Sequence, residues 1–127
     1  MPVDRYQSLR AVLVVDDDRM MRLLLTRILE AEGWRVYTAV DGVEALDLLS
    51  GNAAVDIVVT DVMMPRMDGR ELAAELGKRF PRLPVLLISG AHLGGRSAFG
   101  PFLPKPFTPR SLVSSIRELV ALPEKVS

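Results

Sequence analysis

Cysteine is absent from the 127 residues, which excludes disulfides, thiolate metal sites and a cysteine nucleophile. Aromatic residues are scarce at 6%, and the single histidine, His92, lies in a glycine-rich stretch where a solvated side chain is expected. An excess of charge of one sign is also missing. Sixteen Lys and Arg balance sixteen Asp and Glu, which argues against a general affinity for nucleic acid or anionic lipid. No apolar run is long enough to cross a bilayer: the charge-free stretch Leu83 to Gly95 is too short and too rich in glycine. Met1 to Arg10 carries Asp4 and Arg5 and no apolar core, unlike a secretory signal. There is no internal repeat. The expectation is one cytoplasmic domain over residues 1–127, with its core from about 10 to 121, and 49% apolar residues suffice for that core.

Short apolar runs alternate with amphipathic helical patterns. Ala11 to Val15 is an uninterrupted apolar run, as in a strand buried on both faces, and it ends at Asp16, Asp17 and Asp18. Met21, Leu24, Leu25 and Ile28 follow helical spacing between Met20 and Glu32, with Asp18 as the cap and Gly33 as the stop. Val36 to Val40 predicts a second strand. Asp41 with Glu44, and Asp68 with Glu71, have capping-box spacing at the starts of two further helices. Ile57 to Thr60 and Pro84 to Ile88 predict strands ending at Asp61 and Ser89. A short fifth strand around Phe102 and Leu103 ends near Lys105. Thr108 and Pro109 open a last helix whose buried face is Leu112, Val113, Ile116, Leu119 and Val120. This alternation predicts an α/β domain on a parallel sheet.

The polar residues collect where strands end: Asp16 and Asp17 after the first, Asp61 after the third, Ser89 after the fourth, Lys105 after the fifth. In an open parallel sheet, ligands sit beyond these carboxyl ends. The segments Val14-Val-Asp-Asp17, Thr60-Asp-Val-Met-Met-Pro65, Met67-Asp-Gly69 and Leu103-Pro-Lys-Pro-Phe107 resemble the signatures of response regulator receivers. The similarity runs in order from about Ala11 to Val120.

The resemblance implies a flavodoxin-like, doubly wound, five-stranded parallel sheet of order 2-1-3-4-5. It implies that Asp61 is the phosphoacceptor in a two-component phosphorelay, the donor being a histidine kinase or a histidine phosphotransfer protein. Asp17, Asp61 and the Met63 carbonyl would hold Mg²⁺ directly and Asp16 through water. Lys105 and Ser89 would each bind a phosphate oxygen. Ser89 and Phe102 would form the switch, and Lys105-Pro106 resembles the family's cis-proline site. Turnover is not implied beyond a single self-phosphorylation and its reversal by hydrolysis. His92 is not on a donor-type helix, so the chain is expected to receive phosphate rather than supply it.

Two departures stand out. Only fifteen residues separate Ser89 from Lys105, and Gly90, Gly94, Gly95, Gly100 and Pro101 interrupt them. The fourth helix is therefore expected to be short or absent, as in some receivers of hybrid histidine kinases, and a monomer is favoured. Apolar Met63 and Ala91 occupy two positions flanking the pocket that tune chemistry in the family. A haloacid-dehalogenase-type phosphatase, suggested by Asp16-x-Asp18, is disfavoured by the short chain and by Arg19-Met20. Acids after the first strand disfavour a flavin phosphate, and the intact acid, serine and lysine set disfavours a phosphate-independent module. With no helix-turn-helix in view, direct nucleic acid binding is not expected, nor is a membrane association.

Overall fold

A computed structural model of the chain describes residues 10–51, 53–90 and 100–121. Strand β1 (Ala11–Val15) is wholly buried, and it pairs in parallel with both β2 (Arg35–Ala39) and β3 (Ile57–Asp61). Strands β4 (Val85–Ser89) and β5 (Phe102–Pro104) extend the sheet on the far side of β3. The order is β2-β1-β3-β4-β5, the flavodoxin-like arrangement.

Strand side chains alternate between faces, and each face meets its own helices. Val12, Val14, Ile57, Val59, Leu86 and Ile88 pack with Leu25 and Leu29 of α1 (Arg19–Ala31) and Leu112 and Ile116 of α4 (Pro109–Ala121). On the other face Leu13, Val15 and Val58 meet Leu46 and Leu49 of α2 (Gly42–Ser50) and Leu72 and Leu76 of α3 (Gly69–Arg79). Cover on both sides explains why β1 and β3 are apolar without alternation. No described helix is long and apolar enough to cross a membrane.

The helix ends follow their local chemistry. Asp18 accepts from Met20 N, Asp41 from Glu44 N, and Asp68 forms a full capping box with Glu71. Thr108 and Ser111 cap α4 reciprocally, each backbone N–H donating to the other's hydroxyl at 3.0 Å. Helix α1 closes in a Schellman pattern, Gly33 N to Glu30 O and Trp34 N to Leu29 O, with Gly33 at φ 92°.

Two expectations shift. The second strand is Arg35–Ala39 rather than Val36 to Val40, because Asp16 N takes the Ala39 carbonyl and Val40 N turns to the Glu44 carboxylate. On α1 the buried pair is Leu25 and Leu29, flanked by Met21 and Ile28, whereas Leu24 is 48% exposed. A run of three leucines cannot all face one sheet at 100° per residue. The stretch expected to hold a reduced fourth helix lies mainly at residues 91–99, outside the described residues, as do Ala91 and His92. Among the described residues there are four helices.

Candidate functional site

The order of the sheet reverses between β1 and β3, and these two strands carry the acids. Such a reversal opens a crevice beyond the strand ends. Asp16 continues β1 by one residue, its N–H donating to Ala39 O at 3.1 Å. Its carboxylate is buried at 2% exposure, and Oδ1 accepts from Asp18 N at 2.9 Å. Arg22 Nη1 donates to the Asp16 carbonyl at 2.7 Å, so the turn is pinned from both sides. Asp17, between these anchors, is exposed.

Asp61 is the last residue of β3 and is buried. Val62 N donates to Ile88 O at 3.0 Å, which holds the chain to β4 for one residue more. One carboxylate oxygen from each of Asp16, Asp17 and Asp61 lies within 4.8 Å of the others. Lys105 follows β5. Its backbone N–H donates to Ser89 O at 2.8 Å and its Nζ stands 3.3 Å from Asp61 Oδ1. The Lys105–Pro106 peptide is cis.

The fold thus joins Asp16, Asp17, Asp61 and Lys105 from three strand ends. Ser89, fully buried at the end of β4, is tied to Lys105 through its carbonyl. Phe102 opens β5 half-buried, in register with Leu87. Met63 projects outward, 63% exposed, two residues after Asp61.

The electrostatics are unbalanced. Burial pushes the Asp16 carboxyl up to about 6, against the opposing Asp18 N–H, and the Asp61 charge adds to the rise. Burial also raises Asp61, and the Lys105 ammonium opposes it. Three carboxylates, two of them buried, face one amine, so the cluster holds surplus negative charge. All of the donors are hard oxygens. The set suits a Mg²⁺-like cation, which both neutralises the charge and accepts such ligands.

Two basic residues near the site escaped the sequence reading. Arg22 stands four residues after Asp18, a spacing that could have flagged it, yet it grips the Asp16 carbonyl instead. Arg66 pairs with Asp41, 25 positions away, and no local pattern signals that contact.

The family model for the response regulator receiver domain matches residues 12–117. The chain belongs to the response regulator receiver family.

Among relatives of this receiver, response regulator MprA of Mycobacterium sp. (strain KMS) is 42% identical over 86% of the chain and 50% of its own length. Sensor kinase CckA of Brucella abortus is 38% identical over 86% of the chain but only 12% of its own length. The receiver therefore spans half or less of these relatives. A crystal structure of response regulator protein TrrA from Thermotoga maritima, in complex with Mg²⁺-BeF, superposes with a TM-score of 0.81. It is 28% identical and covers 87% of this chain and 99% of its own. Receivers act as regulatory phosphoacceptors in two-component signalling, and the fold and the acid cluster described above accord with that role.

Proposed function

We propose that this receiver takes a phosphoryl group onto Asp61 from a phosphohistidine of a kinase or a phosphotransfer protein. The observation that carries the reading is the pairing of Asp61 with Lys105 Nζ at 3.3 Å inside a cluster of three carboxylates. A carboxylate oxygen of Asp61 attacks phosphorus, the bond to the imidazole nitrogen breaks with its electron pair leaving on that nitrogen, and an aspartyl phosphate forms. Lys105 moves from the carboxylate to a phosphate oxygen, and the Ser89 hydroxyl donates to another, so charge on the equatorial oxygens meets fixed donors. Asp17, Asp61 and the Met63 carbonyl would hold Mg²⁺, with Asp16 acting through water, and the cation would supply the positive field that lets an anionic phosphoryl group approach. A related receiver, TrrA, has been crystallised in complex with Mg²⁺-BeF, which supports Mg²⁺ as the cation.

The group is a switch rather than a turnover catalyst, with Ser89 and Phe102 as its moving parts and the cytoplasm as its place of work. Exposed Met20, Leu23 and Leu24 on the first two turns of α1, directly after the acid turn, offer apolar surface to a donor protein. The similarity to both a response regulator and a sensor kinase leaves two settings, a free-standing regulator or one module of a hybrid kinase.

Incubation with acetyl phosphate and Mg²⁺ is expected to add one phosphoryl group, located at Asp61 by mass spectrometry. Asp61→Asn is expected to stay unlabelled because an amide is a poor nucleophile. Equal labelling of that variant would refute the assignment.

A further inference from the structure

The segment between Asp61 and α3 is closed at its base and strained at its tip. Gly69 N donates to Val62 O at 2.8 Å, which brings the two ends of the loop together. A side chain at Gly69 would collide with the Asp61 carbonyl and with Val62 Cα, so only glycine permits this closure. At the tip, Arg66 has φ 66° and is the one positive-φ residue other than glycine among the described residues. Met67 N donates to Pro65 O at 2.7 Å across it. An i to i+2 bond around a positive φ is the pattern of the rare, strained γ-turn. Such backbone persists only where its surroundings over-determine it.

The surroundings here are the start of α2. Arg66 Nε donates to Asp41 Oδ2 at 2.7 Å, and Nη2 lies 2.6 Å from the same oxygen. Asp41 is buried at 4% exposure, and its other oxygen accepts from Glu44 N at 2.9 Å. Beside this pair Gly42 N reaches Met67 O at 3.4 Å, and a Cβ at Gly42 would stand 2.7 Å from the Met67 side chain. The tip is thus fastened to the cap of α2 by an ion pair and by close packing, while the base is fastened to β3. Met63 lies on the stretch between the two fastenings.

We propose that Arg66 is a positioning residue for the cation site, its ion pair with Asp41 holding the loop so that the Met63 carbonyl stays presented beside Asp61. The inference rests on the reading of that carbonyl as a Mg²⁺ ligand. Arg66 is 60% exposed and does not reach the acids itself; it acts through the loop. The arrangement links the β2–α2 turn to the loop that follows the phosphoacceptor, Arg66 lying 25 residues after Asp41.

The test is Mg²⁺ titration of the complete 127-residue chain by calorimetry, with thermal melts alongside. Two variants cut the pair from opposite sides. Arg66→Gly accepts the positive φ without strain, and Asp41→Asn keeps an oxygen to cap α2. Each is expected to weaken Mg²⁺ binding about three- to tenfold, and the double variant no more than the weaker single, since either change already opens the latch. The carbonyl ¹³C resonance of Met63 should shift on adding Mg²⁺ to the wild type, and less in both variants. A purely structural role would lower the melting temperature and leave the Mg²⁺ affinity within twofold, which overturns the proposal. Losses that add in the double variant also overturn it. Asp17→Ala separates the two layers. A wild type that binds no better than Asp17→Ala, or a Met63 carbonyl resonance unmoved by Mg²⁺ in the wild type, defeats the ligand reading and the latch with it. Normal binding and a normal shift with unaffected latch variants defeat the latch alone.

Discussion

Neighbouring strands β1 and β2 each hand the chain to a buried aspartate, and the two turns use it in opposite ways. At the β2–α2 turn, Asp41 has its oxygens taken by Glu44 N and by the Arg66 guanidinium. The Glu44 N–H, then Arg66, hold its carboxyl below the usual range. At the β1–α1 turn, Asp16 receives one backbone N–H and faces other carboxylates, and burial, with the Asp61 charge adding to it, pushes its carboxyl up to about 6. Both side chains have little contact with solvent, yet burial dominates at Asp16 whereas hydrogen-bond donors outweigh it at Asp41. A buried acid whose acceptors are filled by donors of its own fold is a structural element, whereas one left with uncompensated charge is prepared for a ligand from outside.

The largest expected effect comes from breaking the filled turn. Asp41→Ala removes the cap of α2 and leaves Arg66 in a strained conformation without its counter-ion. It should cost about 2–3 kcal/mol of stability in urea denaturation. A loss under about 0.5 kcal/mol would mean that Asp41 is not the structural acid described. The opposite sign is expected at the other turn. Asp16→Asn keeps an oxygen for Asp18 N–H and removes a poorly solvated charge, so the metal-free protein should gain roughly 1–2 kcal/mol at pH 7.5. The same change should weaken Mg²⁺ binding, because it removes one of the negative charges that would draw the cation in.

A pH series on the metal-free protein sharpens the contrast. Asp16 and Asp61 have folded-state values above the ordinary 3.8. Between 3.8 and about 6 the folded state therefore binds more protons than the unfolded one, and stability falls as pH rises through that window. Asp41 works in reverse, contributing stability above 3.8 that is lost as the pH falls toward its lower folded value. Metal-free stability should accordingly peak at about pH 4 and decline from there toward about pH 6. In Asp16→Asn the decline toward neutral pH should flatten. A maximum at or above pH 7 in the wild type would contradict the assignment of surplus charge to the pocket.

The smallest effect concerns the lifetime of the phosphorylated state. Hydrolysis needs a water in line with phosphorus, and apolar Met63 offers it neither donor nor acceptor. Replacing Met63 by Asn together with Ala91 by Glu should shorten the lifetime about two- to tenfold, followed as loss of acid-labile phosphate. An unchanged or longer lifetime would show that these side chains do not control access of water.

Much of this protein follows from patterns a few residues long. The apolar run Ala11 to Val15 must be buried on both sides. The caps Asp18, Asp41, Asp68 and Thr108 are satisfied within two or three residues of themselves, and the acids and lysine stand where strands stop, so fold class and candidate site were legible in the linear order. Boundaries were less so. The end of β2 depended on Asp16 N capturing the Ala39 carbonyl from another strand, and the exposure of Leu24 depended on which face of α1 met the sheet.

What the sequence by itself determined is the set of reactive groups and the scaffold that presents them, because periodicity, capping and turn chemistry act at short range. Only the tertiary structure decided which aspartate is satisfied and which is left charged. That choice turns on burial and on partners brought close through space. Asp41 meets Arg66 and Asp61 meets Lys105 across long stretches of chain, and the strength of each contact depends on how much water the surrounding packing excludes.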